Sequence, residues 1–290
     1  AYGAGAVSGG CFNPAVALSI DTSSAGAGFG WCGPYIVFEL LGAFLAVLAF
    51  KTVRPGDFGI LGRPNDDTAA LASEFFGTYF LVLTVGLNVL GNSKAGAFSI
   101  AASLTSMIYA LGDVSGAHFN PAVTLAILIS GRCDLTPTKA GKYVGIQLAA
   151  GISAAYTYAG IYNGATFALG PGQSFTWAGV SVAEVVFTFV LCYVVLCVAV
   201  SPQTKASHLF GLAIGSCVTV GGVAIGGISG GSLNPAVSVG IAAAQTLNGG
   251  FFYKALLYSA LECIGAAVAG SFFKFTHNVD LAVAEKTEDF

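Results

Sequence analysis

The sequence predicts an all-α polytopic membrane protein in which full spans are interrupted by re-entrant half-helices. Three observations carry this. Hydrophobic residues make up 55% of the 290 and charged residues 9%, whereas an ordinary soluble domain is about a quarter charged. Apolar runs close to the ~20 residues needed to cross a bilayer recur along the chain, with Lys and Arg in the breaks between them. One short motif occurs three times, as Ser8–Val16, Ser115–Val123 and Ser229–Val237.

Each copy of the motif opens with small residues suited to a tight turn. It then places Asn at the N-cap, Pro at N1 and an apolar run behind them, which spells a helix start. The run after Pro121 ends at Gly131-Arg132, so that helix is about 15 Å long at ~1.5 Å per residue, half of a ~30 Å bilayer core. Two such half-helices meeting at their N-termini would make one span, with both dipole-positive ends and both Asn carboxamides at a common point near mid-depth.

Taken in order, residues 1–32 hold the first half-helix and no Lys or Arg. Tyr35–Phe50 reads as a span closed by Lys51 and Arg54, and residues 54–70 as a polar linker and main boundary. Spans follow at Leu71–Leu90 and Ala95–Gly112, then the central half-helix, a polar break over Gly131–Thr138 and a span at Tyr143–Ile161. Asn163–Ser174 reads as a loop. Trp177–Val200 and Leu209–Ile228 are spans separated by the polar Ser201–His208, the third half-helix comes next, and Tyr253–Phe275 spans last. The acidic tail, 278–290, is expected to fray.

Residues 71–162 and 177–277 both run span, span, half-helix, span, so they form two like halves. Three spans per half put the second half in the membrane inverted. Residues 1–53 match the end of the second half, because Glu39-Leu40-Leu41-Gly42-Ala43 recurs as Glu262-Cys263-Ile264-Gly265-Ala266. The chain therefore reads as starting inside a unit, and with no initiator Met, Ala1 is expected to lie downstream of the start of the gene product. Alternation from a cytoplasmic linker puts Lys51, Arg54, Arg63, Arg132, Lys139, Lys142, Lys205, Lys274 and Lys286 on one side, against Lys94 and Lys254 on the other. That is the positive-inside bias of a multi-pass protein.

Several classes are disfavoured. A net charge of -3 is too small to imply a nucleic-acid partner. Seven cysteines show neither metal-ligand spacing nor a disulfide framework, and Cys192, Cys197, Cys217 and Cys263 lie within apolar runs. No nucleophile, base and orienter cluster can be assembled, so no enzyme and no cofactor are expected.

The doubled Asn-Pro-Ala half-helices, Ser115-Gly116-Ala117-His118 before the first, and Glu74-Phe75-Phe76-Gly77-Thr78 with its counterpart Glu184 resemble the aquaporin or major intrinsic protein family over residues 71–277, with 1–53 a partial further copy. The resemblance implies a right-handed bundle of six tilted helices and two half-helices around a narrow pore, here with an extra half-helix and span at the N-terminus. It also implies assembly as a homotetramer and passage of water or small neutral solutes. Asn120, Pro121, Ala122, Asn234, Pro235 and Ala236 match the pore motifs, and Asn13, Pro14 and Ala15 are the additional copy.

Physically, Asn120 and Asn234 can donate side-chain N–H groups to a permeant oxygen while the half-helix N-termini, each worth about +0.5 charge, repel cations. The plainer alternative is that each Asn only caps its helix; a carboxamide has two ends and can do both. His118 resembles the family's cytoplasmic-side pore histidine, with a packing role as its alternative. Glu74 and Glu184 match structural carboxylates that accept hydrogen bonds from re-entrant backbone. A carboxylate at mid-membrane costs about 3 kcal/mol on insertion scales and needs such partners.

The family's narrow filter departs from pattern. Its usual aromatic, His and Arg positions fall on Ile100, Gly222, Gly231 and Val237. Removing Arg deletes a charge and several donors, and two glycines widen the ring, which favours urea, ammonia or glycerol. Ser238 and Ala242 point instead toward water-selective members, so the solute stays open, as does plugging of the ring by bulky side chains from elsewhere. Glu39 and Glu262 occupy equivalent points of two spans, where the first half has Gln147. They either bond a neighbouring helix or face the pore or a protomer interface. The expected function is a passive channel; the alternatives are a transporter, which should carry coupling carboxylates at mid-depth, and a non-conducting structural subunit of a larger membrane assembly.

Overall fold

The computed structural model describes residues 2–27, 29–59, 67–202, 204–205 and 208–278. Parts of the expected linker (Arg63, Pro64 and Asp66) and of the polar Ser201–His208 break (Gln203, Ala206 and Ser207), together with Ala1, Lys286 and the acidic tail beyond residue 278, lie outside the described residues. The elements in order are a single turn α1 (Gly5–Ser8), half-helix α2 (Pro14–Ser23), α3 (Cys32–Val53), α4 (Thr68–Leu90), α5 (Gly96–Ser115), half-helix α6 (Pro121–Ser130), α7 (Pro137–Ile161), α8 (Trp177–Val195), α9 (Phe210–Ser229), half-helix α10 (Pro235–Gln245) and α11 (Tyr253–Thr276). A π-helical turn extends α8 to Val200. Among the described residues, seven helices are long and apolar enough to cross a membrane.

Most ends fall within a few residues of those expected; α7 differs more. It begins at Pro137, inside the expected polar break, because Thr136 accepts the Lys139 N–H and Pro137 fills N1. Hydropathy starts the span after Lys139 and Lys142, but the capped helix already includes both. Lys142 Nζ lies 2.6 Å from Asp67 Oδ2, so the starts of α4 and α7 share a face of the membrane, as alternation requires.

The three half-helices are built alike. Asn13, Asn120 and Asn234 each accept the N–H two residues on, at 2.9, 2.8 and 2.9 Å. The residue before each Asn is left-handed, with φ of 57° at Phe12, 49° at Phe119 and 56° at Leu233. An L-residue there costs about 1 kcal/mol or more, which the surroundings must offset.

Helices α4–α7 and α8–α11 interlock. Half-helix α6 packs on α11 and α10 on α7, while α5 meets α9 across the centre. The α7–α10 crossing depends on Gly151 and Gly240: a Cβ on either would strike the other helix's backbone, at Ala236 and Gly151 respectively. Small residues at a crossing let membrane helices approach until backbone meets backbone. Helix α3 stands apart, with 6% of its central apolar window buried against 22–44% for the other six spans.

Candidate functional site

The N-termini of α6 and α10 come together at the centre of the bundle, and the sequence dictates how. Asn120 Nδ2 donates to the Leu233 carbonyl at 2.8 Å, and Asn234 Nδ2 donates to the Phe119 carbonyl at 3.0 Å. Each Asn thus caps its own helix through Oδ1 and ties down the opposite turn through Nδ2. One amide hydrogen of each Nδ2 is used; the second is left for another acceptor.

Two buried carboxylates hold the strained turns. Glu74 Oε1 accepts from Ser115 Oγ (2.7 Å) and the His118 N–H (2.9 Å), and Oε2 accepts from the Phe119 N–H (2.7 Å) and Gln147 Nε2 (2.8 Å). Glu184 accepts from Ser229 Oγ at 2.6 Å and from the Ser232 and Leu233 N–H groups at 3.2 and 3.0 Å. Both are fully buried, and these hydrogen bonds offset the cost of placing an acid inside the bundle.

Glu262 is fully buried and accepts from the Asn234 N–H (3.1 Å) and Ser238 Oγ (2.9 Å). It therefore faces neither a cavity nor the outer surface; of the two roles weighed for it, bonding to a neighbouring helix is what the geometry contains. Gln147 does the matching work in the other half, linking Glu74 to Thr124. Ser238 is fully buried and bonds Ser232 Oγ at 2.7 Å, so it acts behind the cavity wall.

In front of the turns lies a cavity of about 460 Å³. Its wall includes His118, Asn120 and Asn234 together with all four filter-equivalent positions, Ile100, Gly222, Gly231 and Val237. No Arg or Lys lies in this wall among the described residues; the rest of it is mainly aliphatic, with Phe119 and Phe167 its aromatics, Ser232 beside Gly231, and Asn88, Asn92 and Ser93 the polar group at the α4–α5 end. His118 Nδ1 sits 3.1 Å from Thr124 Oγ1 and its ring packs edge-on against Tyr143, so it serves both packing and wall. Pro121, Ala122, Pro235 and Ala236 are buried in the first turns of their helices.

Sequence reading missed three contributors. Asn88 is buried and donates to Ser99 Oγ at 3.0 Å; a lone Asn in an apolar span was the available signal. The hydroxyls of Tyr143 and Tyr258 donate to the carbonyls of Ser115 and Ser229, at 2.9 and 2.5 Å, closing the two turns from behind. Their signal was a shared spacing, four residues before Gln147 and Glu262.

A family model described as major intrinsic protein matches residues 66–273. The chain belongs to the major intrinsic protein family. The chain is 34% identical over 227 residues to aquaporin NIP1-4 of Oryza sativa subsp. japonica, covering 74% of this chain and 80% of that one. It is 31% identical over 230 residues to the putative aquaporin NIP4-1 of Arabidopsis thaliana, covering 76% and 79%. Among solved structures, the aquaglyceroporin from Plasmodium falciparum superposes with a TM-score of 0.60 at 22% identity, covering 70% of this chain and 94% of that one, a likeness of fold. This member of the major intrinsic protein family is accordingly a multi-pass transmembrane channel for water or small solutes, and a passive one rather than an enzyme.

Proposed function

We propose that water and small uncharged solutes cross through the cavity where α6 and α10 meet, with Asn120 and Asn234 as the central donors. The observation that carries this is the cavity itself, whose wall brings together both Asn side chains, His118 and the four filter-equivalent positions. Each free Nδ2 hydrogen can be given to a permeant oxygen. Two helix N-termini aimed at one point oppose a cation or a travelling proton.

Ile100, Gly222, Gly231 and Val237 form the filter in this reading. With no guanidinium and two positions without side chains, the ring selects by width and apolar contact, so urea, ammonia or glycerol pass alongside water. The conducting unit is residues 71–277, with 54–70 as linker and 1–53 as a separate partial unit. A homotetramer is the assembly implied by the family, its apolar outer faces shared between lipid and sister protomers.

Stopped-flow light scattering on proteoliposomes tests this directly. Wild type should pass water, urea and glycerol well above empty liposomes. Val237→Arg should cut solute flux about tenfold, equivalent to about 1.4 kcal/mol on the barrier, and spare water more than solute. Wild-type flux no higher than empty liposomes, with inserted and folded protein, would move the assignment to a non-conducting structural subunit.

A further inference from the structure

We propose that α2 and α3 form a docking surface for a separate aquaporin-type membrane module, which would close a second Asn–Asn pore beside the first. The ground is that this unit reproduces the turn bonds of the α10–α11 unit, apart from the two that Glu262 accepts from Asn234 and Ser238, while lacking every partner on its outer side.

The inner side first. Gly9 and Gly10 have φ of 76° and 65°, where Gly230 and Gly231 have 92° and 64°. Ser8 Oγ donates to the Ala4 carbonyl at 3.4 Å, as Ser229 Oγ does to Ile225 at 3.4 Å. The Gly10 N–H donates to Ser8 Oγ as Gly231 does to Ser229. Cys11 Sγ donates to the Asn13 carbonyl as Ser232 Oγ does to Asn234. Tyr35 OH donates to the Ser8 carbonyl at 2.6 Å, where Tyr258 OH meets Ser229 at 2.5 Å. Four residues after each Tyr stand Glu39 and Glu262, and three further on Gly42 and Gly265.

The outer side is open. Around α10, Glu184 accepts the Ser232 and Leu233 N–H groups, Asn234 Nδ2 reaches the Phe119 carbonyl, and the Leu233 carbonyl accepts Asn120 Nδ2. Among the described residues, the Cys11 and Phe12 N–H groups, Asn13 Nδ2 and the Phe12 carbonyl have no counterpart to these bonds. Both Glu39 carboxylate oxygens are shut from solvent without a partner, although this difference lies within the unit, since Glu262 takes its bonds from Asn234 and Ser238 of its own half-helix. A Cβ on Gly265 would strike the backbone of α8, whereas one on Gly42 would meet nothing. Glu39 and Gly42 line a groove of about 570 Å³ with Phe12, Trp31 and Phe38, and these aromatics are 66%, 72% and 71% exposed.

Lipid can cover the aromatics but cannot satisfy the polar groups beneath them. A second copy of this chain does not fit. Counting spans, α3 runs in the direction of α11, so α2 enters the membrane from the same side as α10, and another copy's α2 enters from that side too. The Asn pairing needs half-helices from opposite sides, and the α6 and α8 of another copy already hold their own α10 turn. The occupant is therefore a different chain segment of first-half type. It carries an inverted Asn-Pro-Ala half-helix whose Asn donates to the Phe12 carbonyl and whose preceding carbonyl takes Asn13 Nδ2. A neighbouring span carries a carboxylate for Ser8, Cys11 and Phe12.

The test uses the full chain in the membranes of its source cells, with the photo-crosslinking residue p-benzoylphenylalanine at Phe12 and adducts sequenced by mass spectrometry. The expected adduct is a peptide outside these 290 residues that contains an Asn-Pro-Ala half-helix. It should fall to background with either Asn13→Leu or Gly42→Leu; the second lies in open space and leaves the fold intact. Flux through the Asn120–Asn234 pore in proteoliposomes should be unchanged by both. Adducts with lipid alone, with a second copy, or none at all would overturn the proposal, and none of these results bears on conduction through the first pore.

Discussion

At the scale of single residues, the acids decide the most. Glu74 is fully buried and accepts four hydrogen bonds. Glu74→Gln exchanges one acceptor oxygen for a donor facing other donors, which should cost about 3 kcal/mol. Thermal unfolding in detergent should register this as a clear drop in midpoint; an unchanged midpoint would contradict the support role. Glu262 presents the opposite case. Its Oε2 is buried without a partner, and the equivalent Gln147 shows that a carboxamide is accommodated there with its Nε2 on the opposing acid. Glu262→Gln should therefore leave the midpoint equal or higher, and a loss above about 1 kcal/mol would show that the acid does something a carboxamide cannot.

At the scale of elements, the half-helices are anchored by where glycine allows a crossing. Gly240→Val should drive a side chain into the Gly151 carbonyl and displace α10 from α7, costing about 3 kcal/mol. Size-exclusion chromatography should show loss of the monodisperse peak. Gly145→Ala, on the exposed face of the same α7 with nothing near its Cβ, should be neutral or gain up to about 1 kcal/mol in helix propensity. The contrast separates glycine used for packing from glycine that lipid merely tolerates.

At the scale of the whole molecule, the two opposed half-helices act as one barrier in the proposed pore. Neither alone places positive potential on both sides of mid-depth; together they do, with about +0.5 charge each. Proteoliposomes should hold an imposed pH gradient while shrinking rapidly under osmotic stress. Collapse of the gradient at the rate of water loss would show that the pairing does not exclude protons.

Much of this was legible in the residues. The Asn-Pro-Ala starts were readable because capping is local: Asn at the N-cap and Pro at N1 act on the next two or three residues whatever lies around them. The spans were readable because a bilayer reads composition over ~20 residues. The two like halves were expected from counting spans, and Glu74, Glu184 and His118 were singled out by the family resemblance. The true start of α7 was hidden because hydropathy ends where charges begin while a capped helix continues. What only the tertiary structure decided is who faces whom. That Glu262 turns inward to Asn234 while the matching Glu39 meets no partner, that Ser238 lies behind the wall while Asn88 joins it, and that Gly151 and Gly240 touch, depend on which helices are neighbours. Side chains with the same local sequence acquire different roles when the residues facing them differ, as where Ser238 bonds Glu262 and the matching position of α2 is Ala17.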